Sequence, residues 1–166
     1  MNQKTPKTNI FESVRFGMVH FILSHSYIIF MFAIIFGAFF HTFFSIKLFS
    51  TAVSGSIGFV MLLVGPALIY WAQHTSSCSS HDAKHDLTER DFERGPYKYS
   101  RNPTHIGLTI MTLGLGFVLN SFFTVIFIII ASVITKLVFL KKEEAILEKK
   151  YGQVYCEYKR KVNTWV

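Results

Sequence analysis

Acidic residues are few, cysteines fewer, and charge of either sign is missing from three long stretches. The 166-residue chain has 10 Asp and Glu against 17 Lys and Arg. Residues 16–46, 48–81 and 102–135 contain none of the four. Such gaps exclude an ordinary soluble domain. Crossing about 30 Å of hydrocarbon at about 1.5 Å per residue takes roughly 20 uncharged apolar residues, and each gap provides them. The first run is too long for a signal-peptide core and has no small-x-small cleavage site close behind it, which argues against a cleaved leader. The two cysteines, Cys78 and Cys156, fall in segments assigned to the cytoplasmic side, where free thiols are the default. No internal repeat and no low-complexity tract occurs.

What is present is apolar and basic. Eighteen residues are Phe and the net charge is +7. The basic residues border apolar runs rather than forming a separate basic domain, so nucleic acid is not an expected partner. Basic residues kept on the cytoplasmic face beside anionic lipid account for the charge.

The first helix is expected over 20–44 and the second over 51–73, with a short turn carrying Lys47 between them. In the second, Gly55, Gly58 and Gly65 permit close helix contact, Pro66 is a possible kink, and Tyr70–Trp71 suit an interface. The third apolar run, 104–140, would extend about 55 Å as one helix, well beyond the bilayer core. A hairpin turning at Asn120–Ser121 resolves the excess. It also places the eight Lys and Arg from Lys136 onward on the same side as the five in 84–101 and the N-terminal Lys4, Lys7 and Arg15, leaving only Lys47 outside.

The expected fold class is therefore an all-α polytopic membrane protein with about four transmembrane helices, the last two as a hairpin. Its parts are a cytoplasmic N-terminus (1–19), two spans (20–73), a cytoplasmic loop (74–103), the hairpin (104–140) and a cytoplasmic C-terminal segment (141–166). Residues 147, 151, 154, 155, 158 and 162 are apolar or aromatic at helical spacing, opposite a basic face. That pattern is an amphipathic helix, lying on the membrane or folding back over the protein, with Gly152 a possible break.

His74, Cys78, His81 and His85 fall at i, i+4, i+7 and i+11, ligand types that suit zinc. The four serines among them are poor helix formers and the spacing matches no zinc module, so the expectation is a flexible loop without metal. His20, His25 and His41 are read as interfacial or packed between helices.

The block "GPYKYSRNPTHIG" at 95–107, "GLG" at 114–116, "EEAIL" at 143–147 and "YGQVYCEYKRKV" at 151–162 carry the remaining signal. In that order they resemble the isoprenylcysteine carboxyl methyltransferase and phospholipid methyltransferase family, membrane enzymes that use S-adenosylmethionine. The resemblance covers about 95–162. Two positions depart from the family pattern: Asn102 stands for its His, and His105 for its Tyr.

The resemblance implies a cofactor site drawn from Tyr97, Arg101, Asn102, Pro103, His105, Gly107, Gly114, Gly116, Glu143, Glu144, Tyr155 and Tyr158, with Arg101, His105 and Glu144 as catalytic candidates. The residue types suit it. Arg101 offers a planar donor fork for the cofactor carboxylate, and Glu143 or Glu144 an acceptor for its amino group or ribose diol. The two acids point about 100° apart on a helix and cannot share one task. Gly114 and Gly116 clear space for a ligand or a neighbouring backbone, Pro103 suits a helix start, and Tyr97, Tyr155 and Tyr158 are candidates to cover the adenine. Implied partners are membrane lipid and a lipid-like or prenylated acceptor entering from the bilayer. The acceptor is a carboxylate, which needs no base, or an amine, for which His105 or a nearby Glu is the candidate base. Small-residue faces on the second helix permit a homodimer. The expected location is a bacterial inner membrane with the active site and both termini cytoplasmic. Two other readings are a nicotinamide-dependent reductase of the related sterol reductase group and a non-enzymatic membrane scaffold.

Overall fold

The computed structural model describes residues 7–81 and 94–163, with side chains described over 26–75, 94–149 and 152–163. Lys4, His85 and the 82–93 part of the central loop lie outside the described residues, as do the side chains of Lys7, Arg15, His20, His25, Cys78 and His81. Among the described residues every element is helical. Lipid offers no partner for a free backbone amide, and a helix satisfies its own.

Helix α1 is Lys7–Phe44 and α2 is Thr51–His81. After a 3₁₀ turn at Gly95–Lys98 come α3, Pro103–Val118, and α4, Phe122–Ile134. A π-helical turn, Thr135–Leu140, carries α4 without a break into α5, Lys141–Tyr151, and α6 is Gln153–Lys161. Ser26–Phe44, Thr51–Thr75 and Phe122–Lys149 are long and apolar enough to cross a membrane. The fourth apolar helix, α3, has only 16 residues, about 24 Å of rise.

Two boundaries differ from the sequence reading. Helix α1 starts at Lys7 rather than near His20. Helix α2 continues past Gln73 to His81 through the serines expected to form a loop. Tertiary contact meets the start of that extension: Gly95 of the 3₁₀ turn sits so close that a Cβ there would lie 2.6 Å from Thr75 Oγ1.

Helix α2 packs along α3, α1 packs along α4, and α3 touches α4; α1 and α2, consecutive in sequence, scarcely meet. The spatial order is α1–α4–α3–α2. The core lies where α1, α3 and α4 converge, at Phe30, Ala33, Leu108, Ile128 and Ala131. Large apolar side chains on the outer faces of α1 and α2, such as Phe39, Phe43, Phe59 and Leu63, are exposed, the surface that lipid covers.

Residues 119–121 reverse the chain. Asn120 takes φ +47°, a left-handed conformation that Asn tolerates better than most residues. Its Oδ1 accepts from the Leu48 and Phe49 amides at 3.0 and 3.3 Å, and its Nδ2 donates to the Phe49 carbonyl at 2.9 Å. The Phe122 amide adds a bond to the Ile46 carbonyl at 3.2 Å. Both turns are thus tied together at one end of the bundle. Residue 101 and residues 143–144 lie at the other.

Candidate active site

Three segments meet at that second end. The 3₁₀ turn and the start of α3 supply Tyr97 to His105, α5 supplies Glu143 and Glu144, and α6 closes over them. Asn102 precedes α3 and Pro103 occupies its first turn, where a missing N–H costs nothing. Two hydrogen bonds dock α6: the Tyr158 phenol donates to the Tyr97 carbonyl at 2.7 Å, and the Arg101 amide donates to the Asn163 carbonyl at 3.0 Å. Tyr155 and Tyr158 are buried, their ring centroids 5.9 Å apart.

Arg101 Nη1 lies 2.9 Å from Glu144 Oε1, with both side chains about nine-tenths buried; the contact is ionic, not aligned as a hydrogen bond. The other Glu144 oxygen is 3.3 Å from Lys159 Nζ, which also donates to Glu148 Oε1 at 2.6 Å. That bond to Glu148 holds the Lys159 ammonium above its ordinary pKa. Burial, reinforced by the Glu144 charge, pushes the Tyr155 phenol up to about 12, so it is neutral beside the charges while Arg101 donates to it.

The adjacent acid faces elsewhere. His105 Nε2 is 3.6 Å from Glu143 Oε2, beyond hydrogen-bond reach. Neither ring nitrogen nor that carboxylate oxygen has a hydrogen-bond partner. Each such buried group costs about 1–3 kcal/mol. The Thr135 hydroxyl, buried at the start of the π-helical turn, is likewise unsatisfied, and π-helical turns recur at functional sites.

Arg101, His105, Glu143, Glu144, Tyr155 and Tyr158 are therefore brought into one polar cluster, with Asn102 and Pro103 at its base and the Tyr97 carbonyl bonded to it. The glycines are not. A Cβ on Gly107 would lie 2.8 Å from the Gly65 carbonyl oxygen, one on Gly114 would lie 2.9 Å from that of Gly58, and one on Gly116 would lie 3.0 Å from Val125 Cγ2. Gly107 and Gly114 let α2 and α3 touch backbone to backbone, and Gly116 admits α4. Gly114 is also nine residues, about 13 Å of rise, beyond His105. Gly58 and Gly65 of α2 are used within the chain, against α3.

Lys159 and Glu148 belong to the cluster and were not singled out from the sequence. The available signal was the i, i+4 spacing of Glu144 and Glu148, which puts both on one helix face. Among the described residues no group of three or more His, Cys, Asp or Glu could hold a metal. His74 is exposed on α2, its ring 6.0 Å from that of Tyr70.

The chemistry of the donor set fits S-adenosylmethionine: a guanidinium for a carboxylate, carboxylates for an ammonium and a ribose diol, and a neutral phenol with an aromatic face. A recess of ≈ 140 Å³ reaches Glu144 from Lys136, Leu137, Leu140 and Lys141.

Comparison with known proteins gives one positive result. The family model described as phospholipid methyltransferase matches residues 53–154, from α2 into α6 and across every charged residue of the cluster except Lys159. No curated protein and no solved structure matches the chain. With well over half of its length inside that match, and with apolar helices suited to a bilayer, this integral membrane chain belongs to the phospholipid methyltransferase family, whose activity is methyl transfer to a lipid-like substrate.

Proposed function

We propose that the protein transfers a methyl group from S-adenosylmethionine to a lipid-like or prenylated acceptor, a carboxylate or an amine, at the cytoplasmic face of a bacterial inner membrane. The observation that carries this reading is the meeting of Arg101 with Glu144 at 2.9 Å. They are remote in sequence, and their pairing assembles a charged, largely dry cluster at one end of an apolar bundle. The cytoplasmic assignment rests on charge. Arg94, Lys98, Lys136, Lys141, Lys142 and the α6 cations lie at the cluster end, and among the described residues Lys47 is the cation at the other.

When bound, S-adenosylmethionine supplies an electrophilic methyl on a sulfonium. Arg101 holds the cofactor carboxylate by its donor fork. Glu144 accepts from the amino group or the ribose diol. Tyr155, neutral and buried, offers the adenine an aromatic face without a competing charge. The bundle excludes water from the reacting atoms and aligns them, which is the main contribution a protein makes to a displacement of this kind. The family match favours this reading over a nicotinamide reductase or a scaffold.

Thermal stability of the detergent-solubilised protein tests the cofactor. S-Adenosylhomocysteine should raise the Tm and NADPH should not. Arg101→Ala and Glu144→Ala should each abolish the rise, and variants that keep it refute the two assignments. Incubation with methyl-labelled cofactor and membrane lipid extract then identifies the acceptor from the labelled product.

A further inference from the structure

Arg101 and Glu144 are matched to each other, and Lys159 to Glu144 and Glu148. His105 and Glu143 are not so matched. His105 is 3% exposed on the first turn of α3, and Glu143 Oε2 is the acidic group 3.6 Å from its Nε2. Neither ring nitrogen nor Glu143 Oε2 has a hydrogen-bond partner. Thr109 does not serve the ring, because its hydroxyl donates to the His105 carbonyl at 2.9 Å. A carboxylate beside one ring nitrogen favours the tautomer with hydrogen on that nitrogen. Here that is Nε2–H toward Glu143, which leaves a lone pair on buried Nδ1. Catalytic contacts of this type are often loose without substrate and tighten with it.

We propose that His105 and Glu143 form a proton-accepting pair, in which Nδ1 of His105 takes a proton from the acceptor nucleophile and Glu143 holds the ring through Nε2. This rests on the methyltransferase reading above and deepens it. For an acceptor arriving as R–NH₃⁺, the N–H bond breaks, its electron pair stays on nitrogen, and the proton forms the Nδ1–H bond. The freed pair then forms the C–N bond as the C–S bond breaks, with the C–S electrons passing to sulfur. The product is R–NH₂⁺–CH₃ plus a neutral thioether. The imidazolium, stabilised by Glu143, returns its proton to water. A carboxylate has no proton to lose and would leave this pair without a task, so the pair selects a protic acceptor. His105 touches the substrate; Glu143 is a positioning residue.

Two measurements test this. In ¹⁵N-histidine-labelled protein, long-range ¹⁵N–¹H correlations report the ring tautomer, with the His105 signals identified by their loss in His105→Gln. The Nε2–H form is expected, and an Nδ1–H form overturns the proposal whichever acceptor is used. In turnover assays with labelled methyl, vesicles carry either dodecylamine or dodecanoate as the probe. With the amine, His105→Gln should lower kcat at least about 100-fold, and Glu143→Gln at least about tenfold. The KM for S-adenosylmethionine should hold, and both variants should still be stabilised by S-adenosylhomocysteine. Full kcat in His105→Gln, or wild-type preference for dodecanoate, overturns the pair while leaving the methyltransferase reading intact. If S-adenosylhomocysteine fails to stabilise even the wild type, the methyltransferase reading fails and this inference with it.

Discussion

Removing Glu144 breaks its ion pair with the buried Arg101 guanidinium, a loss that typically costs about 3–5 kcal/mol. Glu148 is a third exposed and pairs with a Lys159 that is itself 38% exposed, so its loss should cost no more than about 1 kcal/mol. Glu144→Ala should therefore lower the Tm in detergent far more than Glu148→Ala; equal losses would contradict the ion-pair geometry. Tyr155 makes a second prediction, from its pKa of about 12 against 10.0 when unperturbed. The folded state then holds the phenolic proton more tightly than the unfolded state. Stability from this group is complete below pH 10 and is lost as pH rises through about 12, up to about 2–3 kcal/mol. The raised pKa of Lys159 acts in the same direction. Tyr155→Phe should flatten the alkaline limb of a Tm-versus-pH curve, and an unchanged limb would count against the burial argument. At this scale the sequence carried chemical type but not partnership. It showed that Glu143 and Glu144 must diverge, yet which one meets Arg101 depends on how α5 is rotated against α3.

Between helices, glycine positions give the sharpest contrast. A Cβ on Gly65 would lie 2.7 Å from Met111 Cβ and 2.8 Å from the Gly107 carbonyl oxygen, whereas one on Gly55 meets nothing within 4 Å. Gly65→Ala should destabilise by about 1–3 kcal/mol through overpacking. Gly55→Ala should be neutral or stabilising by up to about 1 kcal/mol, since alanine is the better helix residue. Thermal denaturation of both checks the pairing of α2 with α3. Gly114→Ala should likewise lower the Tm while leaving S-adenosylhomocysteine affinity unchanged, because Gly114 meets Gly58 rather than the polar cluster. A lost affinity would return that glycine to the cofactor site. The matching seven-residue spacings, Gly58 to Gly65 and Gly107 to Gly114, were open to view in the sequence. Each was uninterpretable until the two helices were known to face each other, because small residues in an apolar helix serve ligand and helix contacts alike.

Across the whole molecule the interlocked turns and the polar cluster occupy opposite ends of the bundle. Single cysteines introduced at Lys47 and at Gln153, in a background where Cys78 and Cys156 are serine, should react with an impermeant thiol reagent from opposite faces of sealed vesicles. Labelling of both from one face would break the arrangement. The short helix α3 fits this picture. It touches α1, α2 and α4.

Uncharged runs long enough for a bilayer settled, from sequence alone, that the chain is helical and membrane-embedded, because the cost of an unpaired amide in hydrocarbon leaves few alternatives. The excess length of the run after residue 103, together with Asn120, located the reversal by the same local logic. Tertiary structure decided what depends on rotation and contact between segments remote in the chain: the order α1–α4–α3–α2, the diversion of three glycines to packing, the extension of α2 to His81, and the entry of Lys159 and Glu148 into the cluster. It also left His105 and Glu143 dry and close but unbonded. Residue type and spacing describe one helix at a time, whereas a site shared by α3, α5 and α6 exists only once their faces are turned toward one another.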